Sequence, residues 1–254
     1  MSTQYESLHS ALLYPDAFHV AAPNPAVGRA VWPRQLGVFI RVGPTQLADT
    51  AGAVESFEGT IEPLAADRAQ RAPLARELVA GQFGLVPQWV KSASDAKLRS
   101  TKLVNARSET VTTSTNFRGA WLAGQRCIVP MRAFIDEDWR SGKPVPTRIA
   151  RVDGKPMGVA GLWERWTGAA GEVITSYTLL SVNANSHALM SRYQSPGNEK
   201  RMPAILNEGA FDAWLSAQPD KAREFMRAYP ANWLLANPVE KGRKTDRTDL
   251  TQAV

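Results

Sequence analysis

The feature that most restricts the fold is a series of short apolar runs with the alternation of β-strands, spread over residues 36–182. Such runs, separated by residues that favour turns, are typical of strands in a sheet with at least one buried face. The Asp153-Gly154 pair joins two of the runs and is typical of a β-hairpin turn. The pattern predicts strands at Leu36–Val42, Leu78–Val86, Arg126–Pro130, Pro146–Val152, Met157–Trp163 and Val173–Val182.

Helical patterns are short and few. They predict helices that begin near Ser114 or Thr115, near Asn207 and near Pro219. Because strands dominate, we expect an α+β fold with a bent, barrel-like antiparallel β-sheet surrounded by short helices. No linker or repeat divides the chain, so we expect a single domain over residues 1–240, followed by a polar C-terminal tail over residues 241–254.

Basic residues are concentrated in the middle third of the chain. Residues 71–151 hold 14 Lys and Arg against 6 Asp and Glu, a net charge of +8, whereas the whole chain carries +6. Such an excess belongs either to an ordinary solvated surface or to a surface that binds a polyanion, most often nucleic acid. Charge alone does not separate the two interpretations.

The cysteine count and the absence of long apolar runs exclude other classes. One cysteine, Cys127, cannot form an internal disulfide or supply a zinc cluster. The apolar runs are far shorter than the roughly 20 residues of a membrane helix, and the start of the chain is unlike a signal peptide. We expect a cytoplasmic monomer with no metal, no other cofactor and no membrane association.

Two polar segments are candidates for chemistry. Asn105 and Arg107 occupy alternate positions, so in an extended segment both side chains would face one ligand; as an alternative they cap a following helix. Asp136, Glu137 and Asp138 directly follow an apolar strand. Mutual repulsion raises at least one pKa in such a group, which suits a general acid or base, whereas an exposed acidic turn is the plainer alternative.

A third candidate segment is the loop Ser191–Pro203, which contains a Pro-Gly turn and flanking arginines. It is either a binding loop or a simple connection. The three histidines and Cys127 do not assemble into a recognisable catalytic triad, and Cys127 fits a buried thiol within a strand.

Taken in order, several motifs resemble the SOS response-associated peptidase family, whose members crosslink to abasic sites in single-stranded DNA. The resemblance covers roughly residues 78–216. The matching stretches are Gly81–Trp89, Asn105–Thr110, Arg126–Pro130, Gly161–Trp166 and Pro196–Pro203.

The resemblance implies a role for several residues. In the family an N-terminal cysteine, exposed when the initiator Met is removed, attacks the aldehyde of an abasic site and closes a thiazolidine ring. Ser2 stands at that position here, Asp136 stands at the position of a glutamate that assists proton transfer, and Gln194 stands at the position of a histidine. Asn105 and Arg107 match the asparagine and arginine that hold the lesion and its phosphate.

A DNA-binding surface is also implied. Arg107, Trp89, Lys91 and Arg201 lie in or beside the matching segments and are expected to contact single-stranded DNA. This would assign a role to the basic middle third of the chain.

The substitutions predict altered chemistry. A serine hydroxyl is a much weaker nucleophile than a thiol, although a free Ser2 amine can form a Schiff base with an aldehyde. Gln194 can donate a hydrogen bond but cannot transfer a proton near neutral pH. We expect binding of single-stranded or abasic-site DNA with crosslinking weakened or lost. The alternatives are an active Ser2-dependent lyase or autopeptidase and a non-catalytic structural or protein-binding module.

Overall fold

The computed structural model describes residues 3–43 and 74–239, which form thirteen strands and four short α-helices. Single 3₁₀ turns occur at Met190–Arg192, Glu208–Ala210, Lys221–Phe225 and Ala231–Trp233. The helices are α1 (Leu13–Phe18), α2 (Ala93–Ser100), α3 (Arg118–Leu122) and α4 (Phe211–Leu215). The strands are β1 (Gln4–Glu6), β2 (Ala30–Val31), β3 (Leu36–Val42), β4 (Arg76–Phe83), β5 (Asn105–Arg107), β6 (Arg126–Met131), β7 (Ala133–Asp138), β8 (Val145–Arg151), β9 (Met157–Thr167), β10 (Val173–Asn183), β11 (Arg201–Pro203), β12 (Ile205–Leu206) and β13 (Leu234–Pro238).

Five of the strands close into a barrel. Around the ring, β10 pairs with β4, β4 with β3, β3 with β6, β6 with β9, and β9 pairs again with β10. Every pair in the ring is antiparallel except β4 with β10, which is parallel. Closure leaves no free edge in the ring, which removes the usual site of strand-to-strand aggregation.

Aromatic side chains fill one end of the barrel interior. Tyr177 packs 5.5 Å from Phe39 and 5.5 Å from Phe83, measured between ring centroids, and Trp163 stacks on Phe39 at 6.1 Å. Gly81 makes room for this cluster, because a Cβ there would lie 2.9 Å from the Phe39 ring. All four rings lie at strand positions that face the same space, as the alternation of the sequence predicts.

A second sheet lies beside the barrel in the order β13-β8-β7-β1-β2. Its β1 strand pairs with β7, so that Tyr5 is opposite Phe134 and the start of the described chain lies next to the acidic segment. The short strand β5 pairs in parallel with β10. Residues of β1, β5 and β7 nevertheless lie near one another, because Gln4, Arg107 and Asp136 line a common cleft.

The α+β class and the barrel-like sheet with short helices are confirmed. The predicted strand Leu78–Val86 ends at Phe83, because Gly84 turns the chain with a φ of 112°. The predicted helix near Pro219 is a 3₁₀ turn at Lys221–Phe225. The predicted tail over residues 241–254 lies outside the described residues. Within residues 3–43 and 74–239 no helix is long and apolar enough to cross a membrane.

Candidate functional site

A cleft of about 660 Å³ opens between the second sheet, β5 and the loop before β11. It brings together the three segments that the sequence marked as candidates, although they are far apart in the chain. Its lining residues with polar side-chain groups are Thr3, Gln4, Trp32, Arg107, Asp136, Glu137, Gln194, Ser195, Asn198, Glu199 and Arg201.

Asp136 and Gln194 form a buried pair in this cleft. Gln194 Nε2 donates a hydrogen bond of 2.8 Å to Asp136 Oδ2, and the backbone N–H of Glu137 donates one of 3.0 Å to Asp136 Oδ1. Only 4% of Asp136 and 6% of Gln194 is exposed. The acidic segment is therefore not the exposed turn that was the plainer alternative, at least at Asp136.

The amide of Gln194 is held by the protein on several sides. Besides Asp136, Nε2 donates to the Arg201 carbonyl oxygen at 2.6 Å, and Oε1 accepts from the Arg201 backbone N–H at 3.2 Å. An amide nitrogen has two N–H groups, so both have acceptors within the protein. The Gln194 side chain orients Asp136, and neither of its N–H groups remains for a ligand.

The backbone at Gln194 has an unusual conformation that the surrounding contacts maintain. Its φ of 68° lies in the left-handed region, which non-glycine residues seldom occupy. Its N–H donates to the Glu137 carbonyl at 2.7 Å, and Lys200 Nζ donates to the carbonyls of Gln194 and Ser195 at 3.0 and 2.9 Å. Such a conformation persists only where the surroundings impose it.

Burial raises the pKa of Asp136 above its ordinary value, and the hydrogen bond from Gln194 partly offsets this. A carboxyl group in this position holds its proton more strongly than an exposed aspartate does. Asp136 thus has the environment of a group that can both accept and return a proton at the cleft.

Asn105 and Arg107 lie on β5, opposite Leu179 and Ser181 of β10. Residues at alternate strand positions face the same way, so both side chains are on one face of the strand. Asn105 is half-buried, whereas 56% of the Arg107 side chain is exposed in the cleft. The segment is a strand, and α3 begins only at Arg118; the alternative of a helix cap is wrong.

Glu199 links Arg107 to Arg201. One carboxylate oxygen, Oε2, lies 3.0 Å from Arg107 Nη1, and the other, Oε1, accepts hydrogen bonds from Arg201 Nη1 at 2.8 Å and from Asn183 Nδ2 at 2.7 Å. The hydrogen bond from Asn183 and the charges of Arg201 and Arg107 hold the pKa of Glu199 below its ordinary value. Glu199 is therefore an anion that fixes Arg107 in the cleft.

Arg201 is buried and bonded within the protein, with 3% of its side chain exposed. Besides Glu199, it donates from Nη2 to Glu109 Oε2 and to the Ser181 carbonyl, both at 2.7 Å, and from Nε to Ser181 Oγ at 3.1 Å. Four of its five N–H groups thus have protein acceptors. This geometry suits an internal support better than a contact to DNA.

Trp89 and Lys91 do not line this cleft. Trp89 is 43% exposed, its indole N–H donates to the Thr115 carbonyl at 3.1 Å, and the Arg99 guanidinium lies 4.7 Å from its ring centroid. Lys91 is exposed. If both contact DNA, they do so outside the cleft.

Sequence reasoning did not single out Trp32 or Glu199, which are two of the residues that line the cleft. Trp32 directly follows β2 and is 47% exposed, and the available sequence signal was a tryptophan directly before Pro33, where the backbone is restricted. Glu199 was within a candidate loop, but only its position between two arginines in space gives it a role.

Ser2 lies outside the described residues, whereas Thr3 lines the cleft. Among the described residues no cluster of His, Cys, Asp and Glu has the composition of a metal site.

A model of the SOS response associated peptidase (SRAP) family matches residues 42–242. The chain belongs to this family. The match includes Asn105, Arg107, Asp136, Gln194 and Arg201, so the resemblance that the sequence motifs indicated is confirmed.

Named SRAP-type relatives share about a quarter to a third of their residues with this chain. Abasic site processing protein YoqW of Bacillus subtilis is 30% identical over 164 residues, which are 62% of this chain and 67% of the relative. Abasic site processing protein HMCES of Gallus gallus is 26% identical over 200 residues, which are 70% of this chain but only 57% of the relative.

Solved structures carry the same fold. A protein from Bordetella bronchiseptica is 36% identical, with a TM-score of 0.78 over 94% of this chain and 99% of its own. A phage-related protein from the same organism has a TM-score of 0.59 over 94% of each chain at 15% identity, which shows the fold alone. The SRAP fold thus extends over the barrel and the second sheet.

Proposed function

We propose that this SRAP protein binds single-stranded DNA at an abasic site in the cleft, with covalent crosslinking by its N-terminal residue weakened or lost. The observation that carries the proposal is the cleft itself, where an exposed Arg107 lies near a buried Asp136. The names of the relatives, abasic site processing proteins, support the choice of lesion.

Binding is assigned to Arg107 and Trp32. The guanidinium of Arg107 is more than half exposed and is held by Glu199 through one nitrogen, so its other N–H groups are directed to a DNA phosphate. Trp32 offers an exposed ring in the same cleft, on which an unpaired base can stack. Glu199 and Arg201 act as positioning residues for Arg107.

Proton transfer is assigned to Asp136. Its raised pKa and its position in the cleft suit a group that takes a proton from the opening sugar or from the attacking amine. Gln194 is a positioning residue, because both of its N–H groups are used to hold Asp136 and the Arg201 carbonyl.

The covalent step would depend on Ser2. After removal of Met1, the Ser2 amine can add to the aldehyde carbon of an abasic site and lose water to give an imine. The hydroxyl is a poor nucleophile, so the ring that a cysteine closes as a stable thiazolidine closes weakly or not at all. We place this activity in a cytoplasmic monomer, as expected from the sequence.

The test is incubation of the purified protein with a single-stranded oligonucleotide that carries one abasic site, with and without borohydride. We expect salt-sensitive binding and no adduct that survives heat without borohydride. A heat-stable adduct without reduction would contradict the loss of crosslinking, and equal binding to double-stranded DNA without a lesion would contradict the assignment of the cleft.

Two further measurements refine the result. Mass spectrometry of the intact chain decides whether Met1 is present, and a retained Met1 excludes an imine on the Ser2 nitrogen, which is then an amide. Ser2→Cys is expected to restore only slow crosslinking, because Asp136 and Gln194 remain in place of the family's glutamate and histidine. A borohydride-dependent adduct with the unchanged protein would instead support a Ser2-dependent lyase.

A further inference from the structure

A second cavity, of about 500 Å³, lies between β9, α3 and α4 and shares no lining residue with the cleft. We propose that it is a binding site for a guanine base, supplied either as a free nucleoside or by an unpaired base of nucleic acid. The residues that would recognise the base are Arg126, Glu164, Gln88 and Gln125, all of which line the cavity.

Arg126 is a buried cation, and two of its three nitrogen atoms have no acceptor among the described residues. Only 3% of the residue is exposed, and its Nε and Nη2 atoms have no hydrogen-bond partner within the described part of the chain. The Trp121 and Trp214 rings lie 5.4 and 5.7 Å from the guanidinium carbon and stabilise the charge in part. Burial lowers its pKa to about 10, so Arg126 still carries its charge at neutral pH. An unpaired buried guanidinium is costly, and a ligand that accepts from it recovers part of that cost.

The orientation of the Arg126 guanidinium limits which kinds of ligand it can bind. Nη1 lies on the cavity side, since a Cβ at Gly124, which lines the cavity, would be 3.3 Å from it. A carboxylate or phosphate is bound best by two parallel N–H groups, but Nε and Nη2 are buried away from the surface. One accessible nitrogen suits a single acceptor such as a carbonyl oxygen.

The other polar groups of the cavity include several acceptors. Glu164 Oε1 accepts from Gln88 Nε2 at 2.8 Å, from Gln125 Nε2 at 3.1 Å and from the Arg165 backbone N–H at 3.0 Å. No described residue donates to Glu164 Oε2 or to the two glutamine Oε1 atoms. The cavity thus presents Arg126 Nη1 and the second N–H of Gln125 Nε2 as donors, beside several acceptors.

Guanine matches this pattern better than the other bases do. Its edge carries one acceptor, O6, next to three N–H groups on N1 and N2, whereas the N–H groups of adenine and cytosine are confined to one amino group beside acceptors and thymine has only one N–H between two carbonyl oxygens. The opposite charges of Arg126 and Glu164 also favour an uncharged ligand over a free anion or cation. Val42, Ala123 and Leu215 supply the apolar walls that a planar ring needs.

The experiment is calorimetric titration of the full chain with 2′-deoxyguanosine and, separately, with the three other deoxynucleosides. We expect deoxyguanosine to bind at least about tenfold more tightly than the others. Glu164→Gln, which keeps the acceptor Oε1 but replaces Oε2 by a donor, should reduce deoxyguanosine binding at least about tenfold. Equal affinity for all four nucleosides would overturn the proposal.

A cavity-filling variant tests the location. A Cβ at Gly119 meets no atom within 4 Å, so Gly119→Leu should fill the cavity without disturbing the core. Gly209 is equally open but lies outside both cavities, which makes Gly209→Leu the matched control. We expect Gly119→Leu alone to abolish deoxyguanosine binding; a base preference that survives it would overturn the proposed site.

The source of the base is distinguished with oligonucleotides. If the base comes from nucleic acid, one dG within an oligo-dT strand should tighten binding to the unchanged protein and not to Gly119→Leu. If it comes from a free nucleoside, deoxyguanosine binds while the dG has no effect. Binding of abasic-site DNA through Arg107 should be the same in Gly119→Leu, so failure of this proposal is separable from failure of the cleft assignment.

Discussion

The Gln194 side chain donates a 2.8 Å hydrogen bond to the Asp136 carboxylate, and both residues are more than 90% buried at the cleft. The pair joins a loop to strand β7 across 58 positions of sequence. The Gln194 amide also donates to the Arg201 carbonyl and accepts from the Arg201 N–H. It therefore fixes Asp136 relative to β11. This relationship determines how the cleft should respond to mutation and to pH.

Gln194→Ala should lower the free energy of unfolding by about 2–3 kcal/mol, because it removes two hydrogen bonds at a buried site, one to Asp136 Oδ2 and one to the Arg201 carbonyl. Urea unfolding followed by tryptophan fluorescence measures the change. Gln218→Ala is the control, since that side chain is exposed and should change stability by less than about 0.5 kcal/mol. Equal effects of the two substitutions would show that the buried amide has no structural role.

The contribution of Asp136 to stability should fall as pH rises. Its pKa is raised in the folded protein, so between the unfolded value of about 3.9 and the folded value the native state binds more protons than the unfolded state. The free energy of unfolding of the unchanged protein should therefore decrease through this window relative to Asp136→Asn, which does not titrate there. Urea unfolding at closely spaced pH values measures the difference, and a difference that rises with pH would contradict the raised pKa.

Glu199→Gln should strengthen DNA binding by about threefold or more, because it removes a negative charge that repels phosphate while its amide oxygen can still accept a hydrogen bond from Arg107 and hold it in place. Fluorescence anisotropy with a labelled abasic-site oligonucleotide at several salt concentrations measures it. Glu208→Gln is a matched control, since it removes the same charge from Arg151 and Lys155 outside the cleft. If both variants gain equally, the net charge of the protein and not the local charge beside Arg107 explains the effect.

Arg201→Met should cost about 3 kcal/mol of stability, because four hydrogen bonds to Glu109, Glu199 and Ser181 are lost around a buried side chain. Thermal and urea unfolding measure the loss. Arg140→Met is the comparison. The Arg140 side chain is 61% exposed, so its ion pair with Asp138 should contribute at most about 1 kcal/mol to stability. A small effect at Arg201, with DNA binding abolished, would instead support a direct contact to DNA.

Gly84→Ala should destabilise the fold strongly, by about 2 kcal/mol or more. Gly84 has a φ of 112°, and a Cβ there would overlap the Ser100 carbonyl oxygen. Gly209→Ala is the control because a Cβ at that position meets no atom within 4 Å. Thermal unfolding of both variants compares them, and equal midpoints would mean that the turn after β4 adapts freely.

Much of the fold was predictable because it follows from local patterns. The alternating run Leu36–Val42 coincides with β3, and the family motifs around Asn105 and Arg126 identified the family before any geometry. The parallel pairing of β4 with β10 was not predictable, since strand direction depends on which chain segments meet after long connections. The helix predicted near Pro219 is a 3₁₀ turn at Lys221–Phe225, whereas those predicted near Ser114 and Asn207 correspond to the short helices α3 and α4.

The site was predictable only as a set of separate candidates. The motifs singled out Asp136, Gln194 and Arg107 individually, but no spacing in the sequence shows that Glu199 lies between Arg107 and Arg201. Nor does it show that the donors of Gln194 are already used by the protein. Hydrogen-bond partners depend on distances in space, which are unrelated to separation along the chain.

The sequence by itself determined the family, the strand-rich class and the basic middle third, because these depend on residue type and local order. Only the tertiary structure decided which groups are buried, which are paired and which remain available to a ligand. It buried Asp136 against Gln194, engaged Arg201 internally and left Arg126 unpaired beside a second cavity within the described residues. The reason is that closure of the barrel and the second sheet sets the neighbours of each polar group, and those neighbours set its charge state and its free hydrogen-bonding capacity.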